Sequence, residues 1–255
     1  MATSARYVRI YAGPDGESHF EDVDVPLGPG PGSSDLSALH PASGLVFAHY
    51  RVGGYRDFHT APCRQFVVTL AGEAEAVASD GEARRLTPGT VLLPEDTTGR
   101  GHITRNLGAE EWRMLWIPLA GERLPPGTAG PERRRTGAGY VRIAPGPDGA
   151  SHFEDVPVAL SARSEIVDVS APVPVTGVIF RRSPPDHDLD WHQAPRRQFV
   201  ITFSGAVEIV ASDGEARRLG VGSVMLAEDT TGKGHLSRAA VPAERLALRP
   251  AGLAA

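Results

Sequence analysis

Hydrophobic and polar positions along this chain change over short stretches broken by turn residues, and no helical period persists for ten residues. In the first half, the β-prone stretches 45–50, 65–70, 73–78, 91–93 and 112–117 are spaced as strands of a sandwich or barrel. Between alternating segments lie Ser79-Asp80-Gly81 and Ser212-Asp213-Gly214, where the Asp-Gly pair tolerates positive φ and predicts hairpin turns. The pattern predicts an all-β fold of antiparallel strands.

The chain also repeats itself. Tyr7-Val-Arg-Ile10 returns as Tyr140-Val-Arg-Ile143, and Ser18-His-Phe-Glu-Asp-Val23 as Ser151 to Val156. Ser79 to Leu86 returns as Ser212 to Leu219, Glu95-Asp-Thr-Thr-Gly99 as Glu228 to Gly232, and His102 as His235, each pair 133 residues apart. An unbroken spacing predicts two copies of one fold. Residues 121–139 are rich in Gly, Pro and Arg and lack apolar periodicity, so they read as a linker. The expected units are 1–120 and 140–255.

Composition narrows the function classes. The 255 residues are 41% hydrophobic and 22% charged, as expected of a folded globular chain. With 26 basic against 31 acidic residues the net charge is -5, and the densest basic run is only Arg133-Arg134-Arg135. Nucleic acid and anionic membrane are therefore not expected as partners. A lone cysteine, Cys63, forms no internal disulfide and excludes zinc-finger and CxxC chemistry. Without a signal-like or membrane-length apolar run, the expected location is cytoplasmic.

Six of the nine histidines form pairs at the repeat spacing: His19 with His152, His59 with His192, and His102 with His235. A single histidine is more often retained for packing, but these lie in a pattern. Gly53 is followed by His59, Gln65 and Gly72; then come Gly89, Gly99, His102 and Asn106. This resembles the two motifs of the cupin superfamily, the first supplying His-x-His and a Glu, the second a third His. The resemblance covers nearly the whole of each copy and implies a bicupin, two tandem antiparallel jelly-roll β-barrels.

Departures from the motif bear on chemistry. The second His of the first motif falls on Ala61 and Ala194, and its Glu on Gln65 and Gln198. The resemblance thus implies a reduced ligand set of His59, Gln65 and His102 in one barrel and His192, Gln198 and His235 in the other. Two neutral imidazoles and an amide oxygen bring no negative charge, so affinity for a divalent ion falls, although Fe(II), Ni(II), Cu(II) or Zn(II) can still be held. Without metal, the same imidazoles could move protons.

Other candidates carry competing readings. Glu95 and Asp96, with Asp229 in the second copy, precede the turn into the second motif; they either bind substrate near the barrel mouth or build the turn. Arg196, turned inward, would hold a substrate carboxylate. Trp112 and Trp116 share one face of a strand and read as core. Cys63 reads as a small hydrophobe. The function expected from the resemblance is a small-molecule enzyme acting inside the barrel, with isomerase, cyclase, decarboxylase or oxygenase chemistry and His59, His102, His192 and His235 as catalytic groups. The rival is a cupin pocket that captures a metabolite as sensor or carrier. A homodimer and a small organic substrate are the expected partners; no nucleotide cofactor is expected.

Overall fold

The computed structural model describes residues 4–31, 33–124, 132–133, 138–185, 187–239 and 241–251. Their regular secondary structure is entirely β, with no helix. The predicted stretches appear as Gly44–Tyr50, Gln65–Ala71, Ala74–Ala78, Val91–Pro94 and Trp112–Pro118. Both Asp-Gly turns form, with φ of 97° at Gly81 and 100° at Gly214. Most of the expected linker, 125–131 and 134–137, lies outside the described residues; within it Glu132–Arg133 pairs with Leu160–Ala162. No helix among the described residues is long and apolar enough to cross a membrane.

Two self-contained closed barrels are not what the strands build. Each repeat packs a four-stranded sheet against its share of one 18-stranded sheet that runs through both repeats. In the first repeat the small sheet runs Ala83–Leu86, Ala74–Ala78, His102–Asn106, Tyr55–His59; in the second it runs His187–His192, His235–Ala239, Ala206–Ala211, Ala216–Gly220. The space between facing sheets forms a cup in each repeat.

Short strands are exchanged between the repeats. Asp35–Leu36 and His40–Pro41 of the first pair with Val173–Ser183 of the second, while Val167–Val169 of the second pairs with Gly44–Tyr50 of the first. The exchange is reciprocal: Phe47 N donates to Ser170 Oγ, and Phe180 N to Ser37 Oγ, both at 3.0 Å. Gly44–Tyr50 is buried along its whole length, so an open edge there would strand backbone groups in an apolar setting. The exchanged segments supply partners. Between the repeats one core joins Phe47, Phe66 and Leu115 of the first to Phe180, Phe199 and Leu246 of the second. Burial of these side chains is the main force holding the halves together.

Candidate functional site: two cups with one scaffold

In the first cup, the strands Tyr55–His59 and His102–Asn106 pair with His59 directly opposite His102. The rings lie 4.4 Å apart. The approach depends on Gly101, whose φ is +78°; a Cβ there would meet the His59 carbonyl oxygen at 2.0 Å. Each ring is held by its Nδ1. His59 Nδ1–H donates to the Asp57 carbonyl at 2.8 Å, and His102 Nδ1 lies 2.7 Å from Asp96 Oδ2. With Nδ1 engaged as donor, Nε2 is the remaining ligand atom on both rings. Burial, with the neighbouring His102 as second cause, lowers the pKa of His59 to about 3, so this imidazole is neutral at physiological pH.

The cup encloses about 690 Å³, and His59, Gln65 and His102 all line it. Two residues of its wall carry a buried polar atom with no hydrogen-bond partner among the described residues, Gln65 at Oε1 and Tyr50 at its hydroxyl. Burial pushes the Tyr50 phenol up to about 12, so it stays protonated as a donor. Trp112, Met114 and Trp116 supply apolar walls, and Arg56 lines the same space. Trp112 belongs to the core of the first repeat, as expected, with Trp116 packed against it, and both also line the cavity; Trp112 Nε1–H is held by Thr69 Oγ1 at 3.1 Å. Residues 163–167 of the second repeat also line the cup, brought there by the strand exchange.

The second cup repeats the scaffold. His192 stands opposite His235 with rings 4.4 Å apart, His192 Nδ1–H donates to the Asp190 carbonyl at 2.8 Å, and His235 Nδ1 lies 2.5 Å from Asp229 Oδ2. Its interior is different. Where Trp112, Met114 and Trp116 stand opposite Tyr50, Ala48 and Val46, the second repeat has Ala243, Arg245 and Ala247 opposite Ser183, Arg181 and Ile179. Arg181 and Arg245 occupy the space, and only about 40 Å³ remains.

The other candidate residues are placed as follows. Asp96 and Asp229 are fully buried behind His102 and His235 and line neither cup, so neither can touch a substrate there. They orient the rings instead, and they place a carboxylate behind the ligand set that the bare sequence lacked. Glu95 is held by Arg9 at 2.5 Å and lies outside the first cup. Arg196 is exposed and does not line the second cup. Cys63 is buried, and desolvation raises its thiol to about 11, which makes it inert. His19 and His152 lie outside both cups, each bound at 2.7 Å through Nδ1 to the hairpin aspartate, Asp80 or Asp213. Tyr50 and the two arginines were not anticipated.

The two donor sets differ in their fit to a metal. In the first cup two Nε2 atoms and the orphaned Gln65 Oε1 offer three donors backed by the Asp96 carboxylate, a set that fits a divalent transition ion. In the second cup, His192, Gln198 and His235 share the interior with Arg181 and Arg245, and a divalent cation there would meet buried positive charge. That set does not fit. Among the described residues, no three His, Cys, Asp or Glu side chains cluster in a metal-ligand arrangement.

No family model matches the sequence, and no curated protein matches it. Solved structures do superpose. A cupin 2 conserved barrel domain protein from Leptotrichia buccalis is 11% identical, with 85% of this chain and 88% of that chain covered at a TM-score of 0.40. A putative glyoxylate induced protein from Pseudomonas aeruginosa is 10% identical, over 90% and 85% of the two chains, at 0.39. An oxalate decarboxylase from Bacillus subtilis, described with Mn(II) centres, is 14% identical, over 100% and 78%, at 0.33. At these TM-scores the superpositions define no shared activity.

Proposed function

We propose that the protein is a cupin-type small-molecule enzyme whose working site is the first cup, with His59, His102 and Gln65 holding a divalent transition metal. The observation that carries this reading is Gln65, with its buried and unpartnered Oε1, lining one cavity with two imidazoles whose Nδ1 atoms are already engaged. A buried amide oxygen without a partner costs about 1–3 kcal/mol, and a ligand atom recovers it. A bound ion would supply Lewis acidity at a substrate oxygen.

The chain's own groups supply the rest. Asp96 accepts from His102 Nδ1 and from Ser18 Oγ at 3.0 Å, so the ring is fixed in one tautomer. Tyr50 holds its proton at the phenol oxygen and can donate to a developing oxyanion. Trp112 and Trp116 exclude water from an apolar substrate body. Reactions that build charge on a carbonyl or carboxylate oxygen suit this arrangement, namely isomerisation, decarboxylation and oxygenation of small organic acids.

Elemental analysis of the purified full chain tests the reading. About one equivalent of metal per chain is expected, lost in His59→Ala and in His102→Ala and kept in His192→Ala. Metal retained in both first-cup variants, or absent from the native protein after addition of Fe(II), Ni(II), Cu(II) and Zn(II), would overturn it.

A further inference from the structure

Strand pairing sets Arg181 directly opposite Arg245, and both side chains line the residual cavity of the second cup. Like charges directly opposite on one face repel, and burial removes the water that would screen them. Arg245 is 4% exposed; one terminal nitrogen donates to Ser183 Oγ, while its Nε–H, also buried, meets no acceptor. Among the described residues no carboxylate contacts it. Of the two fully buried carboxylates described in this repeat, Asp229 is turned to His235 Nδ1 and Asp168 to Arg51. Burial, with the charge of Arg181 second, lowers the pKa of Arg245 to about 9, which still leaves a cation at neutral pH.

We infer that the second cup is a binding site for one small monoanion, a halide or a one-carbon carboxylate, held by the buried Arg245 guanidinium with Arg181 opposite. The remaining space of about 40 Å³ suits an ion the size of chloride or formate. The Ser237 hydroxyl lines the same space and can donate to the ion. In this role the second repeat is an anion-stabilised partner of the first, and its histidines are scaffold. The inference does not depend on metal in the first cup.

Thermal unfolding of the full chain in sodium chloride, sodium formate or sodium gluconate, at constant ionic strength, tests it. Gluconate is too large for the cavity and serves as the reference. Chloride or formate is expected to raise Tm saturably, by about 5 °C at a hundredfold excess over Kd, and comparison of the two salts identifies the better-fitting ion. In Arg245→Met, which places at this position the residue found as Met114 in the first cup, the anion-specific rise is expected to vanish. Equal rises in the variant, or no rise in the native protein, would overturn the proposal. Chloride-35 linewidths, broadened by the native protein and narrowed on titration with formate, give a second readout that needs no variant; no specific broadening and no formate competition would likewise overturn it.

Discussion

Replacing Asp96 by asparagine removes one charge and leaves the shape nearly unchanged, and the repeat provides an internal control in Asp229→Asn. Asp96 Oδ2 accepts from His102 Nδ1 at 2.7 Å and from Ser18 Oγ at 3.0 Å, whereas Asp229 Oδ2 accepts from His235 Nδ1 at 2.5 Å and the equivalent Ser151 hydroxyl turns to the Gly234 carbonyl. A hydrogen bond to a charged group contributes about 1.5–3 kcal/mol. Urea denaturation should therefore show both variants destabilised by about that amount, with Asp96→Asn the more affected because it weakens two such bonds. Metal affinity separates them further. Loss of the carboxylate behind a ligating histidine lowers affinity by about 10- to 100-fold, which corresponds to about 1.4–2.7 kcal/mol. Calorimetric titration with Ni(II) or Zn(II) at pH 7 should show that drop in Asp96→Asn and no change in Asp229→Asn. Equal drops in both, or none in either, would refute the assignment of metal to the first cup alone.

Gln65→Glu adds a carboxylate to the donor set and should tighten divalent binding about tenfold or more in chelator competition, while the metal-free protein loses about 1–3 kcal/mol from the buried acid. Gly101→Ala forces a side chain into positive φ and against the His59 carbonyl, so chemical denaturation should report a loss of about 2–3 kcal/mol or more. For the metal-free protein, the lowered pKa of His59 means that the unfolded chain binds its proton first as pH falls. Stability contributed by this neutral histidine is full above pH 6.5 and is lost on acidification toward about pH 3, by up to about 1.4 kcal/mol per pH unit. His59→Ala should flatten that slope in urea titrations.

The strands most readable from sequence are those with a continuous buried run, such as Gly44–Tyr50 and Gln65–Ala71. Tyr55–His59 escaped because Tyr55, Arg56, Asp57 and Phe58 are all exposed and show no alternation, although this strand carries a site histidine. The exchanged strands are two or three residues long and pair across more than a hundred positions, as Leu36 does with Arg181, so no local signal marks them. The histidine pairs were legible from their spacing. Their aspartate partners were visible only as substrate-binding or turn residues, because a sequence does not say that Asp96 points back at His102. Arg245 was hidden by a shift in the repeat. Val67 pairs with Trp116 and Val200 with Ala247, so the 133-residue spacing shortens by two in the last strand.

Once that shift is allowed for, the side chains at matching levels show why similar scaffolds give unlike cups. The paired rings, the backbone carbonyl behind one and the carboxylate behind the other recur in both repeats, as does the glycine that lets the strands meet at His59 or His192. The ring pair joins two strands of the small sheet, and the carbonyl and carboxylate fix each ring, so these contacts stabilise the fold whether or not a ligand enters. Whether a cup admits one is decided by the facing strands of the large sheet. Trp112, Met114 and Trp116 line an apolar space of about 690 Å³, while Ala243, Arg245 and Ala247 at the same levels, with Arg181 across from Arg245, leave about 40 Å³ and two guanidinium groups. Recurrence of the histidines is therefore evidence for a shared fold, and the interior of each cup is evidence for its chemistry.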